Sequence, residues 1–234
     1  MTGEQIQTLF GLMLQYTVPT LRIFFFTLLY SIPLGMVVAQ LKMCRFKPVS
    51  WLTNIYILIM RGTPLLLQLI VAQYSVPYIV RSDICPQFLK DLLNGVDIRS
   101  DSYTFNMMLI AFVLNYAAYF AEIFRGGIES IPKGQYEAAD ALGFGKFQTF
   151  FRIVLPQVVK RVVPASSNEI ITLVKDTSLA SAIPYMEIMY IAKKQVPLYA
   201  SLLPLFMAGV FYFVFATVLT AVFSFVEKKL DYYK

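Results

Sequence analysis

The chain has 234 residues, of which 58% are apolar and 15% charged, with no histidine and a formal net charge of +6. That composition excludes an ordinary soluble globule and points to a bilayer as solvent; about five spans of roughly 20 residues each would use the length and leave no room for a second, catalytic domain. The Lys and Arg residues fall in clusters between apolar runs, where they face anionic headgroups and set orientation, so the basicity is read as topology and not as nucleic-acid binding.

The first predicted span runs from about Tyr16 to Leu41 and is followed directly by Lys42, Arg45 and Lys47, which places that end in the cytoplasm. Neither a basic leader before it nor a small-residue cleavage pattern after it is present, so this span is expected to stay in the protein. A second span, about Trp51 to Tyr74, is interrupted by Arg61-Gly62-Thr63-Pro64, residues that must face protein or water because lipid does not tolerate them. Cys44 and Cys85 flank opposite ends of this span and are expected as free thiols.

The segment from Ser75 to Tyr103 balances Arg81, Lys90 and Arg99 against Asp83, Asp91, Asp97 and Asp101 and reads as an external loop, with a short helix expected at 87–94. The third span, about Thr104 to Phe124, leads to a long polar segment carrying Arg125, Lys133, Lys146, Arg152, Lys160 and Arg161, the main cytoplasmic loop. A fourth crossing, roughly Val162 to Tyr190, holds Asn168, Glu169, Lys175 and Asp176; a fifth, about Leu198 to Val226, is cleanly apolar and ends in Glu227-Lys228-Lys229 and a terminal Lys234. Twelve of the twenty basic residues then lie inside, five outside (Arg81, Lys90, Arg99, Lys193, Lys194) and three, Arg22, Arg61 and Lys175, within the membrane. The expectation is an all-α integral membrane protein with five transmembrane helices, N-terminus out and C-terminus in, forming a single domain over 1–234.

Ionisable groups in a membrane face an interior cavity and pair with one another or with a ligand. Helical spacing puts Asn115, Tyr119 and Glu122 on one face of the third span and Glu169, Thr172 and Asp176 on one face of the fourth. Lys175, Thr177 and Ser178 add donors and Glu169 and Asp176 acceptors, the two kinds a zwitterion needs, so Arg61, Thr63, Asn115, Tyr119, Glu169, Thr172, Lys175, Asp176, Thr177 and Ser178 form the candidate substrate path. Helix-to-helix ion pairing by Lys175 and Asp176 explains the same residues equally well. Glu122 and Arg125 are expected as an ordinary i,i+3 pair.

Within the cytoplasmic loop at about 125–160, Gln135 to Leu142 offers good helix formers that stop at Gly143. A second helix at Lys146 to Leu155 spaces Phe147, Phe150, Phe151 and Val154 by threes and fours. Small Ala138 and Ala139, flanked by Tyr136 and Glu137, suit close approach of a partner backbone, although on composition alone an interfacial loop helix accounts for them as well.

The run Glu137-Ala-Ala-Asp-Ala-Leu-Gly143, followed by Ile153-Val-Leu-Pro156, resembles the EAA loop of ATP-binding cassette (ABC) importer permeases. The similarity extends over nearly the whole chain and points to the branch carrying polar amino acids. Its residues are Arg61-Gly-Thr-Pro64 with Gln68, Asn115-Tyr-Ala-Ala-Tyr119 with Glu122, Arg125-Gly-Gly-Ile128, Ser130-Ile-Pro-Lys-Gly134 and Lys175-Asp-Thr-Ser-Leu179. Leu58 departs from the pattern, standing where many relatives place an acid near Arg61. The resemblance implies a type I importer permease fold in the bacterial cytoplasmic membrane, with Tyr136, Glu137, Ala138, Ala139, Asp140 and Gly143 docking a separate ATPase. It further implies two ATPase copies, a second permease, identical or paralogous, and an extracytoplasmic amino-acid-binding protein. No Gly-x-x-x-x-Gly-Lys-Ser/Thr loop occurs in the chain, so ATP and Mg are expected on the partner ATPase, with no cofactor or metal in this chain and no catalytic residue. The competing expectation is an ion-coupled carrier or channel that conducts through Glu169, Lys175 and Asp176 without an ATPase.

Overall fold

A computed structural model describes residues 2–82, 86–88, 90 and 97–230, with the side chains of residues 80 and 81 left aside. The helix expected at 87–94 lies largely outside the described residues, and Asp83, Cys85, Asp91 and Lys234 lie wholly outside them. Among the described residues the fold is helical throughout, with no strand.

Helix α1, Gly3–Lys42, starts on a Thr2–Gln5 capping box and runs for 40 residues, which at 1.5 Å per residue is about 60 Å, twice the hydrocarbon thickness. It begins 13 residues before the expected span because its first half has its own partners: Leu9 and Met13 are fully buried against Ile188, Ala192 and Ala208. Its second half packs along α4, Asp101–Glu129, whose N-cap Ser100 accepts from the Tyr103 amide at 3.1 Å. The approach is close at Gly35, where an added Cβ would sit 2.7 Å from Phe120 Cβ and 3.1 Å from the Ala117 carbonyl oxygen. α4 is the hub of the fold, and Met108, Phe112, Tyr116 and Phe120 form its core together with Ile23, Leu69, Ile170 and Leu173 from three other helices.

Helices α2, Lys47–Gly62, and α3, Leu65–Arg81, meet at 106°. Pro64 bars Thr63 from helical geometry, and Thr63 is accordingly extended at φ −117°, ψ 149°. The interruption read from the sequence is therefore a sharp corner between two helices.

Beyond α4, the loop helix α5, Lys133–Ala141, ends where Gly143 takes a left-handed φ of 77° and the Phe144 amide reaches back to the Ala139 carbonyl at 3.0 Å. Helix α6, Lys146–Thr149, passes through a π-helical turn, Phe150–Val154, straight into α7, Leu155–Asp176. The fourth predicted crossing is thus not one helix. α7 stops at Asp176, a 3-10 turn spans Thr177–Ala182, and after extended Ile183 a separate helix α8, Ile188–Tyr199, begins. Ala200 turns the chain with φ 45° before α9, Leu203–Leu230, so Leu198 belongs to the last turn of α8 and does not open the last span.

By length and apolarity, α1, α4 and α9 each qualify to cross a membrane, and the bent α2–α3 pair makes a fourth candidate. α7 is 22 residues long, but Lys160, Arg161, Glu169, Lys175 and Asp176 keep it too polar to qualify on those criteria.

Candidate functional site

The α2–α3 corner is built from polar side chains. The Gln68 amide donates to the Met60 carbonyl at 3.0 Å and to Thr63 Oγ1 at 2.8 Å, while the Asn115 amide donates to the same carbonyl at 2.9 Å and to Gln68 Oε1 at 3.0 Å. Asn115 is buried, so the structure places it, with Thr63, in a knot that fastens the corner to α4. Tyr103 adds a second tie, its hydroxyl donating to the Gln73 carbonyl of α3 at 2.9 Å.

Arg61 projects from the corner with its guanidinium carbon 5.1 Å from the centre of the Tyr119 ring and a terminal nitrogen 3.9 Å from Glu122 Oε2. These contacts supply the partner that the apolar Leu58, itself exposed, does not. Glu122 also takes Lys42 at 2.5 Å and Arg125 at 2.7 Å, and Arg125 turns its other nitrogen to Glu129. The i,i+3 pair expected from the sequence is therefore one part of a cluster that joins α1, α2 and α4 at the basic end of the spans.

On α7, Glu169 is half-buried, two turns before Asp176. Asp176 accepts from the Tyr116 hydroxyl at 2.7 Å, which joins α7 to α4 through a residue outside the polar stripe read on the third span. Thr172 is half-buried and Lys175 exposed on the same helix. Thr177 donates to the Val174 carbonyl at 2.7 Å and Ser178 to the Lys175 carbonyl at 2.6 Å, so both hydroxyl protons serve to end α7. The structure sets Arg61 against Tyr119 and links Asp176 to α4 through Tyr116, and it gives Thr63, Asn115, Thr177 and Ser178 structural hydrogen bonds.

Glu187 was missed by sequence reasoning. It is fully buried and caps α8, accepting from the Met189 and Tyr190 amides at 2.8 and 2.6 Å and from the Tyr212 hydroxyl of α9 at 2.6 Å. The adjacent Ile188 amide donates to Thr20 Oγ1 of α1 at 3.3 Å, so one turn ties three helices. The signal available was Pro184 three residues before an acid, a helix-start pattern that reading 162–190 as one crossing conceals.

In the loop, Tyr136, Glu137, Ala138, Asp140 and Gly143 of the expected docking set are exposed, whereas Ala139 is buried beneath α5. Leu142 and Phe147 are exposed by 75% and 74%, and Phe147 pairs with Phe151 at 4.4 Å between ring centres, so the outward surface is more apolar than the docking set alone. Underneath, Ile131, Val154, Val158 and Val162 form a small core with Ile128 of α4. Gln157 of α7 donates to Gln135 of α5 at 3.2 Å, and Arg161 of α7 donates to the carbonyl of Ser130, the residue that ends α4, so α7 is tied both to the loop helix and to the end of α4.

A helical, multi-pass membrane protein with a polar seam between its spans and an exposed loop helix tied to one of them has the features of a membrane transport subunit. Residues 31–232 match the family described as binding-protein-dependent transport system inner membrane component, and the chain belongs to that family. It is 38% identical over 206 residues to the octopine transport system permease protein OccM of Rhizobium radiobacter, covering 85% of this chain and 79% of that one. It is 34% identical over 212 residues to the arginine transport system permease protein ArtQ of Bacillus subtilis (strain 168), covering 90% and 89%. Among solved structures, an amino acid ABC transporter crystallised with histidines superposes with a TM-score of 0.77 at 26% identity, over 96% of this chain and 95% of that one. The inward-facing MetNI methionine ABC transporter shares the fold, with a TM-score of 0.67 at 14% identity over 98% and 99%. The protein is accordingly a multi-pass inner-membrane component of a binding-protein-dependent transport system.

Proposed function

We propose that this chain is the permease subunit of an ABC importer that moves a polar amino acid inward by alternating access. The observation that carries the reading is how the loop is attached: α7 is tied to the exposed loop helix through Gln157 and Gln135 and to the end of α4 through Arg161 and the Ser130 carbonyl, and α4 and α7 are the helices that Tyr116 and Asp176 join. A pull on the loop is thereby a pull on the polar seam. The relatives named for octopine and arginine transport and the amino acid transporter structure support the cargo class.

In this reading five crossings place the N-terminus outside and the C-terminus inside, with α7 as the fourth crossing, its charged side turned to the path and a second permease subunit in place of lipid. Arg61 holds the cargo carboxylate from one side of the seam, while Glu169, Asp176, Tyr119, Thr172 and Lys175 face its ammonium and side chain. Two cytoplasmic ATPase subunits, which bind ATP and Mg, dock on Tyr136, Glu137, Ala138, Asp140 and Gly143, with Ala139 packing beneath and setting the height of the helix. An external binding protein delivers the amino acid. A carrier or channel that needs no ATPase leaves the exposed loop surface without a role.

The test is co-purification of the ATPase with the permease. The wild-type chain is expected to retain it, and a Tyr136→Ala, Glu137→Arg double variant to lose it while the permease stays folded in the membrane. Full retention by the double variant would refute the docking assignment.

A further inference from the structure

At the basic end of the spans a cavity of about 400 Å³ lies between the last turn of α1, the first turns of α2 and the end of α4. Lys42, Lys47 and Arg125 line it with Ser50, Trp51 and Asn54, opposite a single carboxylate, Glu129. Lys42 and Arg125 are already engaged by Glu122, but Lys47 has no carboxylate within ion-pair distance among the described residues. Arg45, two residues before Lys47, is exposed as well, so the rim of the cavity carries excess positive charge.

The apolar surroundings are as specific as the charge. Phe46 and Trp51 are exposed by 62% and 64% and Leu52 by 59%, at the level where the basic cluster marks the membrane–water boundary. An aromatic ring beside an unpaired lysine at that depth offers a surface for an acyl chain next to a seat for a phosphate.

We propose that this cavity is a binding site for the phosphate headgroup of an anionic phospholipid of the cytoplasmic leaflet, with Lys47 as its principal cation, Asn54 as a hydrogen-bond donor and Trp51 against the glycerol and upper chain. A lipid seated there joins α1 to α2 beside the Glu122 cluster and so bears on the corner that carries Arg61.

The experiment uses the purified importer complex in detergent, titrated with phosphatidylglycerol, with phosphatidylcholine and with inorganic phosphate, and bound lipid is read by native mass spectrometry. Phosphatidylglycerol is expected to bind in preference to phosphatidylcholine and to resist displacement by inorganic phosphate. Lys47→Gln is expected to weaken it about fivefold, the effect of one cation near the surface. Lys229→Gln, which removes a cation at the same membrane face away from the cavity, is expected to leave it unchanged. Equal binding of the two lipids, equal loss in both variants, or an unaltered affinity in Lys47→Gln would overturn the proposal. Displacement by inorganic phosphate would overturn its lipid source in favour of a soluble phosphate.

Discussion

Tyr116 and Asp176 carry the contact on which the polar seam depends, and the phenol is the only hydrogen-bond donor to Asp176 among the described contacts. Tyr116→Phe keeps the ring packing and removes that donor; a loss of about 1 kcal/mol in stability is expected, read as a small fall in the unfolding temperature of the purified protein. Uptake is expected to fall further than stability does if, as proposed, the carboxylate it positions faces the path. Glu169→Ala at normal expression is expected to abolish uptake, and retention of uptake would remove Glu169 from the path. Asn115 shows what is legible in a sequence and what is not. Its polarity inside an apolar span put it on the candidate substrate path, but its amide is engaged by Gln68 and by the Met60 backbone carbonyl, a group that every residue possesses and that no residue type announces. Thr177 and Ser178 were likewise visible as hydroxyls while their carbonyl acceptors were not.

Between helices, the decisive features are corners and close approaches. Arg61-Gly-Thr-Pro64 announced a break in the second span through the chemistry of proline; the 106° angle follows from how Gln68 and Asn115 fasten the two halves, which only the fold displays. Gln68→Leu is expected to cost about 2 kcal/mol, since it strips partners from Thr63, Asn115 and the Met60 carbonyl together; circular-dichroism melting of the purified protein reads it. Gly35→Val is expected to cost about 1–3 kcal/mol by forcing α1 away from Phe120 and Ala117, and its membrane expression falls in parallel. The stretch after Asp176 was harder to read because the 3-10 turn and α8 are apolar enough to continue a helical pattern by eye. Glu187, sealed between α8, α9 and α1, shows that the helix restarts there.

For the whole molecule, the loop between α4 and α7 is the proposed point of coupling to the ATPase. The helix over Gln135 to Leu142 is legible from its good helix formers and its stop at Gly143, which does adopt the left-handed conformation that glycine favours, while its docking role follows only from the resemblance. The apolar patch of Leu142, Phe147 and Phe151 is not legible, since threefold and fourfold spacing of aromatics predicts a buried face as readily as an exposed one. In the proposed reading the Gln157 tie makes α5 move with α7, which Arg161 holds to the end of α4, and binding outside is then reciprocally linked to hydrolysis inside. The most direct test is the ATP hydrolysis rate of the complex in proteoliposomes, with and without amino-acid-loaded binding protein. The account predicts that loaded binding protein raises hydrolysis in the wild type and that Glu137→Arg abolishes the rise along with uptake. Amino-acid uptake that proceeds at full rate with no ATP hydrolysis would contradict it.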